Sequence, residues 1–199
     1  PRGGRWADSG SVDTVTPGEA WDDPPSHATT LLGEDGSLEG WENADGGDPG
    51  WTEADDHIVA KPGAGNIQST ATFGDCRLHA EFRIPEDVSG VGNSRGNSGV
   101  FLADRYEIQI LDNHENVAEP TEWVGAYTGQ APPMASPTRP PGAWQSLDVL
   151  WEGPRFGGGS STLARPGRLT ALLNGVVVQK RLSLNGPNTG GSVSAYEGH

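Results

Sequence analysis

The chain has 199 residues and a formal net charge of −14 at pH 7, with 13 basic against 27 acidic residues. Only Lys61 and Lys180 among the basic residues are lysines, so no basic patch is available to neutralise phosphates, and nucleic acid is excluded as a partner. The length fits a sizeable core, and the single cysteine, Cys76, excludes an internal disulfide framework.

Hydrophobic residues make up 33% of the chain, and 30 glycines and 16 prolines favour many short strands over a helical bundle. No apolar run is long enough to span a membrane. The excess of arginine over lysine has two interpretations. A GC-rich genome gives it without any function, and a salt-adapted (halophilic) proteome gives it together with surplus surface acids. No signal peptide is visible at Pro1. The compartment stays open, with a secreted or periplasmic location favoured over a cytoplasmic one.

In chain order, residues 1–28 are predicted to form an irregular N-terminal arm, pinned by Trp6 and Trp21. The domain proper is expected to occupy residues 29–199. It opens with an edge strand near residue 30 that leads to an anchoring Trp41. Short strands are predicted within residues 51–60 and 65–72.

A strong strand is predicted over residues 76–84. Its apolar row, which includes Cys76 as a buried structural thiol, alternates with a polar row. Next come two strands joined by a tight turn at Asp104-Arg105. In the second of them Glu107 and Gln109 alternate with an apolar row. The apolar row of the strand over residues 76–84 is Cys76, Leu78, Ala80 and Phe82, and its polar row is Arg77, His79, Glu81 and Arg83. The apolar row of the strand that carries Glu107 is Tyr106, Ile108 and Ile110.

The rest of the chain contains one long excursion over residues 113–143, of a length that is usually functional. It is followed by a strand over residues 144–151 and a hairpin around Asn174-Gly175. Many short antiparallel strands indicate an all-β fold, a two-sheet jelly-roll β-sandwich with long loops.

Polar side chains predict a sugar site on this sandwich. If the two polar rows belong to the same sheet, they share one exposed face, because the apolar rows must face the core. Hydrogen-bonding groups beside one aromatic ring are the usual components of a sugar site. The alternative is a solvated sheet face. The predicted members of the face are His79, Glu81, Glu107 and Gln109, joined by Asn97, Gly99 and Phe101 if their strand alternates in the same way.

The spacing Glu107-x-Gln109-x-x-Asp112 parallels the Glu-x-Asp-x-x-Glu strand of laminarinase-type glucanases, which supplies nucleophile and general acid. The amide at the middle position argues against that double-displacement mechanism. Asp112 has a second interpretation as the cap of a turn, and His114 as an ordinary loop residue. No transition-metal spacing is present and no cofactor is expected, although a structural calcium remains open.

Six motifs together identify a family. They run in the family's order over nearly the whole chain, which resembles the 3-keto-disaccharide hydrolase domain family. The resemblance implies a concanavalin A-like jelly roll, and the C-terminal segment usual in the family is absent from this sequence. The motifs are Phe73-Gly-Asp-Cys-Arg-Leu-His-Ala-Glu-Phe82, Arg95-Gly-Asn-Ser-Gly-Val-Phe-Leu102, Tyr106-Glu-Ile-Gln-Ile-Leu-Asp112, Gly125-Ala-Tyr-Thr-Gly-Gln130, Arg139-Pro-Pro-Gly-Ala-Trp-Gln145 and Asn174-Gly-Val-Val-Val-Gln179.

The resemblance implies hydrolysis of glycosides that carry a ketone at C3. The ketone acidifies the C2 proton, so a base removes it, the enolate expels the group on C1, and water then adds. Glu107 is the expected base, with Glu81 or His79 as acid or partner. The predicted substrate-binding residues are Asn97, Phe101, Arg105, Gln109, Asp112, His114 and Tyr127.

Two other functions stay open at this point. One is a non-catalytic carbohydrate-binding module, and the other is a structural or decoration protein, since one fold serves many functions. For the hydrolase and for the binding module, the expected partner is a carbohydrate. The oligomeric state is unknown.

Overall fold

The computed structural model describes residues 16–17, 24–33, 35–157 and 162–188. The predicted anchors Trp6 and Trp21 lie outside the described residues, and the arm boundary at residue 28 stays a prediction. The predicted all-β class is confirmed, and in the described part of the chain no helix is long and apolar enough to cross a membrane. The strands are β1 (Trp41–Asn43), β2 (Thr52–Glu53), β3 (Ile58–Val59), β4 (Ile67–Ser69), β5 (Cys76–Arg83), β6 (Ser98–Leu102), β7 (Tyr106–Ile110), β8 (Trp144–Glu152), β9 (Arg155–Phe156), β10 (Leu163–Arg165), β11 (Arg168–Leu173) and β12 (Val176–Ser183), with single 3-10 turns at Gly92–Ser94 and Pro120–Glu122.

The unit Pro1–Thr72 contains two small antiparallel pairs, β1 with β4 and β2 with β3. The edge strand predicted near residue 30 is wrong, because the chain bends there instead of extending. The Trp41 indole holds that bend by donating a hydrogen bond to the Leu31 carbonyl at 2.8 Å.

The unit Phe73–His199 contains a four-stranded antiparallel sheet in the order β12-β11-β8-β5. The alternation predicted for β5 is confirmed, since its odd-numbered residues are exposed and its even-numbered residues are half-buried. The hairpin between β11 and β12 turns at Asn174 and Gly175, whose φ angles of 49° and 76° are those of the predicted two-residue turn.

A second layer of the same unit is the β6–β7 hairpin. Residues 124–131 run beside β7, where Ile108 pairs with Tyr127. The turn between the strands spans residues 103–105, one residue longer than predicted, because Leu102 pairs with Tyr106. The inward rows of the two layers form one buried core, whose largest cluster is Leu102, Tyr106, Ile108, Val124, Tyr127, Leu147, Val149, Trp151, Leu169, Ala171, Leu173, Val178 and Leu184.

Candidate active site

The residues expected to share one face lie on two different sheets. β5 pairs with β8, whereas β7 pairs with β6. Tyr106 of β7 packs against Trp151 of β8, with ring centroids 5.0 Å apart, so the core lies between the two layers. The polar row of each layer alternates with its core row and therefore points away from the other layer. The predicted grouping of His79 and Glu81 with Glu107 is wrong for this reason.

His79 and Glu81 belong to the outer face of the four-stranded sheet. His79 Nδ1 lies 3.1 Å from Oδ1 of Asp148, directly opposite on β8, and Arg77 Nη2 donates to the same oxygen at 3.2 Å. Glu81 is exposed and lies opposite Ser146. This face is an open surface with a local ion-pair network, so neither residue is placed to assist Glu107.

Glu107 lies on the outer face of the β6–β7 hairpin. Phe101 is its direct cross-strand neighbour and keeps 37% of its surface exposed. The Glu107 side chain folds over Gly99, where an added Cβ would lie 2.8 Å from the Glu107 Cγ and closer still to Oε1. Gly99 and Phe101 lie on the same face of the hairpin as Glu107, as expected if their strand alternates in the same way. The carboxylate therefore occupies space that only a glycine at position 99 leaves open.

The electrostatic surroundings of Glu107 favour its protonated form. Burial raises the pKa of the Glu107 carboxyl above its ordinary value, a hydrogen bond from Thr128 partly opposes this, and the negative charge of Glu122 raises the pKa further. A pair of carboxylates was expected to divide acid and base character. The second carboxylate is Glu122 of the long excursion, not Glu81.

Gln109 connects Glu122 to the strand that carries Glu107. Its side chain is buried, with 2% of the residue exposed. Nε2 donates to Glu122 Oε2 at 3.1 Å, while Oε1 has no hydrogen-bond partner among the described residues. A buried acceptor without a donor is costly, so the hydrogen bond to Glu122 accounts for only one end of this amide.

Asn188 fixes the backbone of Glu107. Its Oδ1 accepts a hydrogen bond from the Glu107 amide at 2.7 Å. Its Nδ2 donates to the Glu107 carbonyl at 2.9 Å and to the Thr128 carbonyl at 3.2 Å. One side chain thus bonds both backbone groups of Glu107, beside the Thr128 amide that donates to the same carbonyl.

Asp112 is a structural residue and not a sugar ligand. It is 2% exposed, and its Oδ2 accepts a hydrogen bond from Arg95 Nε at 2.5 Å. Its Oδ1 accepts the backbone amide of His114 at 3.0 Å. Both oxygens are occupied in holding the end of β7 and the following turn, which is the cap interpretation. His114 takes part in this turn through its backbone amide.

Tyr127 is a core residue, contrary to its predicted place in the site. It is 1% exposed, and its hydroxyl donates to the Gly186 carbonyl. It pairs with Ile108, so its ring points into the core in the same direction. The next residue, Thr128, points to the other side and meets Glu107.

Two further predicted ligands lie at the ends of the hairpin. Asn97 precedes β6, and its Nδ2 donates to the Asn93 carbonyl at 2.9 Å. Arg105 lies in the turn before β7, where its carbonyl accepts the Asn188 amide at 3.2 Å. Sequence reasoning missed Glu122, Thr128 and Asn188. The length of the excursion was a signal for the first two, and Thr128 also lies in the motif Gly125-Ala-Tyr-Thr-Gly-Gln130.

The chain was compared with known families and proteins. Residues 27–197 match the model of the 3-keto-alpha-glucoside-1,2-lyase-like domain. A comparison with curated proteins gave no match.

Among solved structures, the chain is similar to one described as a putative glycosyl hydrolase from Parabacteroides distasonis ATCC 8503. The two are 30% identical, with a TM-score of 0.88, over 95% of this chain and 82% of that chain.

Two further structures of that description, from the same organism, show the fold alone. They are 19% and 21% identical to this chain, with TM-scores of 0.52 and 0.50, over 75% of this chain and 70% and 69% of theirs. The family match and the first similar structure support a glycoside-hydrolase-like role. The chain belongs to the 3-keto-alpha-glucoside-1,2-lyase-like domain family.

Proposed function

We propose that this protein cleaves glycosides whose sugar carries a ketone at C3, with Glu107 as the general base. The observation that carries the proposal is the surroundings of Glu107, a carboxylate half-buried beside an exposed ring and a buried amide. Burial raises the pKa of this carboxyl, and a carboxylate with a raised proton affinity suits the removal of a proton from carbon.

The reaction is an elimination followed by hydration. Glu107 takes the proton on C2, and the electron pair of that bond forms the enolate of the C3 ketone. The enolate returns its electrons to form a C1–C2 double bond, and the C1–O bond breaks. The leaving oxygen takes a proton from solvent. After the leaving group departs, the Glu107 carboxyl exchanges its proton with solvent. Water then adds its oxygen to C1 and releases a proton, and the Glu107 carboxyl delivers a solvent-derived proton to C2, so the sum is hydrolysis.

The neighbours of Glu107 have separate roles in this proposal. Phe101 supplies an apolar surface for one face of the sugar ring. A nucleophilic carboxylate is not needed, which agrees with an amide at position 109. The acid role expected for Glu81 or His79 is not part of the proposal, because both lie on the other sheet.

The test is turnover of a 3-keto-glucoside compared with the same glucoside before oxidation. The proposal requires release of the aglycone from the oxidised sugar alone. Cleavage of the unoxidised glucoside would contradict it, and binding of the keto sugar without turnover would indicate a carbohydrate-binding module instead. Glu107→Gln is the matched variant, and it must lose the activity while still binding the sugar.

A further inference from the structure

Glu122 is tied to the strand that carries the proposed base. Its Oε2 accepts the hydrogen bond from Gln109 Nε2 at 3.1 Å. Gln109 lies two residues after Glu107, on the same outer face of β7, and is almost fully buried. The Glu122 carboxylate is therefore held by a buried side chain on the same face of β7 as Glu107.

The backbone around Glu122 is held as well. Glu122 ends the 3-10 turn that begins at Pro120, and its amide donates to the Glu119 carbonyl at 2.8 Å. The amide of Gly129 returns to the Thr121 carbonyl at 3.0 Å. The adjacent Trp123 indole donates to the Ala118 carbonyl at 3.0 Å. These bonds fix the backbone of the excursion around Glu122.

The groups that surround Glu107 come from each element packed against it. The hairpin partner β6 contributes Gly99 and Phe101, both uncharged, and the chain after β12 contributes Asn188, also uncharged. The excursion contributes Thr128 and Glu122. The turn before β7 contributes Arg105, a cation two residues from Glu107. Of the charged groups from these elements, Glu122 is the one that raises the pKa of Glu107.

We propose that Glu122 is a positioning residue of this site, whose fixed negative charge makes Glu107 a stronger base toward the C2 proton. The inference rests on the proposed function for the identity of that proton, but the electrostatic relation between the two carboxylates stands apart from it. Gln109 holds Glu122 in this arrangement through the hydrogen bond from its Nε2.

The relation predicts a specific effect of removing the charge. Gln in place of Glu122 still accepts the hydrogen bond from Gln109 through its own Oε1, so the geometry is kept while the charge is lost. The pKa of Glu107 must then fall, because the raising influence of Glu122 is gone. The acid limb of kcat/KM must move to lower pH in parallel, because that limb reports the free enzyme's base.

The experiment is a titration of the Glu107 carboxyl carbon by 13C NMR on protein with labelled glutamate, the signal being assigned by its loss in Glu107→Gln. The titration is repeated in Glu122→Gln and in Glu119→Gln, an exposed carboxylate three residues earlier in the same excursion. The inference expects a lower midpoint for Glu107 in Glu122→Gln and an unchanged one in Glu119→Gln. An unchanged midpoint in Glu122→Gln, or an equal fall in both variants, overturns it.

The titration needs no substrate, so it separates this inference from the proposed function. A lowered midpoint in a protein that does not turn over 3-keto sugars keeps the electrostatic relation and removes the function. Turnover with an unchanged midpoint does the reverse. If Glu122→Gln fails to fold, Glu122→Ala is titrated in its place, with the same two outcomes.

Discussion

The two outer faces of the Phe73–His199 unit carry similar residues in different surroundings. The outer face of the four-stranded sheet holds His79 and Glu81 in the open, and its central carboxylate, Asp148, is paired with a cation. On the outer face of the β6–β7 hairpin, which Glu122 and Thr128 of the long excursion contact, Gln109 is buried and Glu107 is half-buried. Burial raises the pKa of the Glu107 carboxyl. The burial of the carboxylate, not its presence alone, distinguishes the candidate site from an open sheet face.

The largest expected difference between the two faces is catalytic. Glu107→Gln should lower kcat/KM on a 3-keto-glucoside by about 10²- to 10⁴-fold, the usual contribution of a general base. Glu81→Gln should leave the rate unchanged, because that side chain points away from the site on the other sheet. Steady-state kinetics on the two variants makes the comparison. Similar losses in both would show that the two faces act together, which the fold does not allow.

A smaller loss is expected from filling the space under Glu107. Alanine at position 99 places a Cβ 2.8 Å from the Glu107 Cγ, so the carboxylate must move. A displacement of the order of 1 Å in a reacting group costs about 100-fold, and we expect kcat to fall by about that factor. Gly74→Ala is the control, since nothing lies within 4 Å of its added Cβ. Full activity of the Gly99→Ala variant would mean that Glu107 reacts from another position.

The burial of Glu107 also predicts a cost in stability that depends on pH. Its pKa is raised in the folded protein above the ordinary value of 4.5. The folded state therefore binds this proton more tightly. The contribution of this proton to the free energy of unfolding is fully present below pH 4.5 and is lost as the pH rises through the folded-state pKa. Glu107→Gln should raise Tm at neutral pH and leave it unchanged at pH 4 or below. Thermal melts over that range would contradict the account if the variant is destabilised at neutral pH.

The smallest effect is expected on the open face. His79→Ala removes one partner of Asp148 and leaves Arg77 in place. Exposed pairs of this kind contribute about 1 kcal/mol or less to the free energy of unfolding. Denaturant titration should detect no larger change, and turnover should be that of the unaltered protein. A loss of activity without loss of stability would restore His79 as part of the site.

The strands of the core were predictable because their signal is local. The period of two along β5 and β7 gives the inward and outward rows without any knowledge of pairing. Pairing itself is not local. The contact between His79 and Asp148 joins residues 69 positions apart, and nothing in either strand says which sheet it joins. The shared-face hypothesis failed at that step.

The candidate site was only partly predictable for the same reason. Glu107, Gln109 and Phe101 lie on periodic strands, so their direction followed from the alternation. Glu122 and Asn188 come from segments without a period, and their contacts with β7 depend on tertiary packing. Tyr127 was predicted as a ligand because it lies in a family motif. A motif does not give the direction of a side chain, and the Tyr127 ring points into the core.

The most direct measurement of the central claim is hydrolysis of a 3-keto-glucoside in D2O, with NMR of the sugar released in the first turnovers. If Glu107 removes the C2 proton and a solvent-derived one returns, the product must carry deuterium at C2. The control is the free 3-keto sugar kept in the same buffer without protein, which corrects for spontaneous exchange. A product that keeps its original hydrogen at C2 above that background would mean that the C1–O bond breaks without C2 abstraction, and would contradict the account.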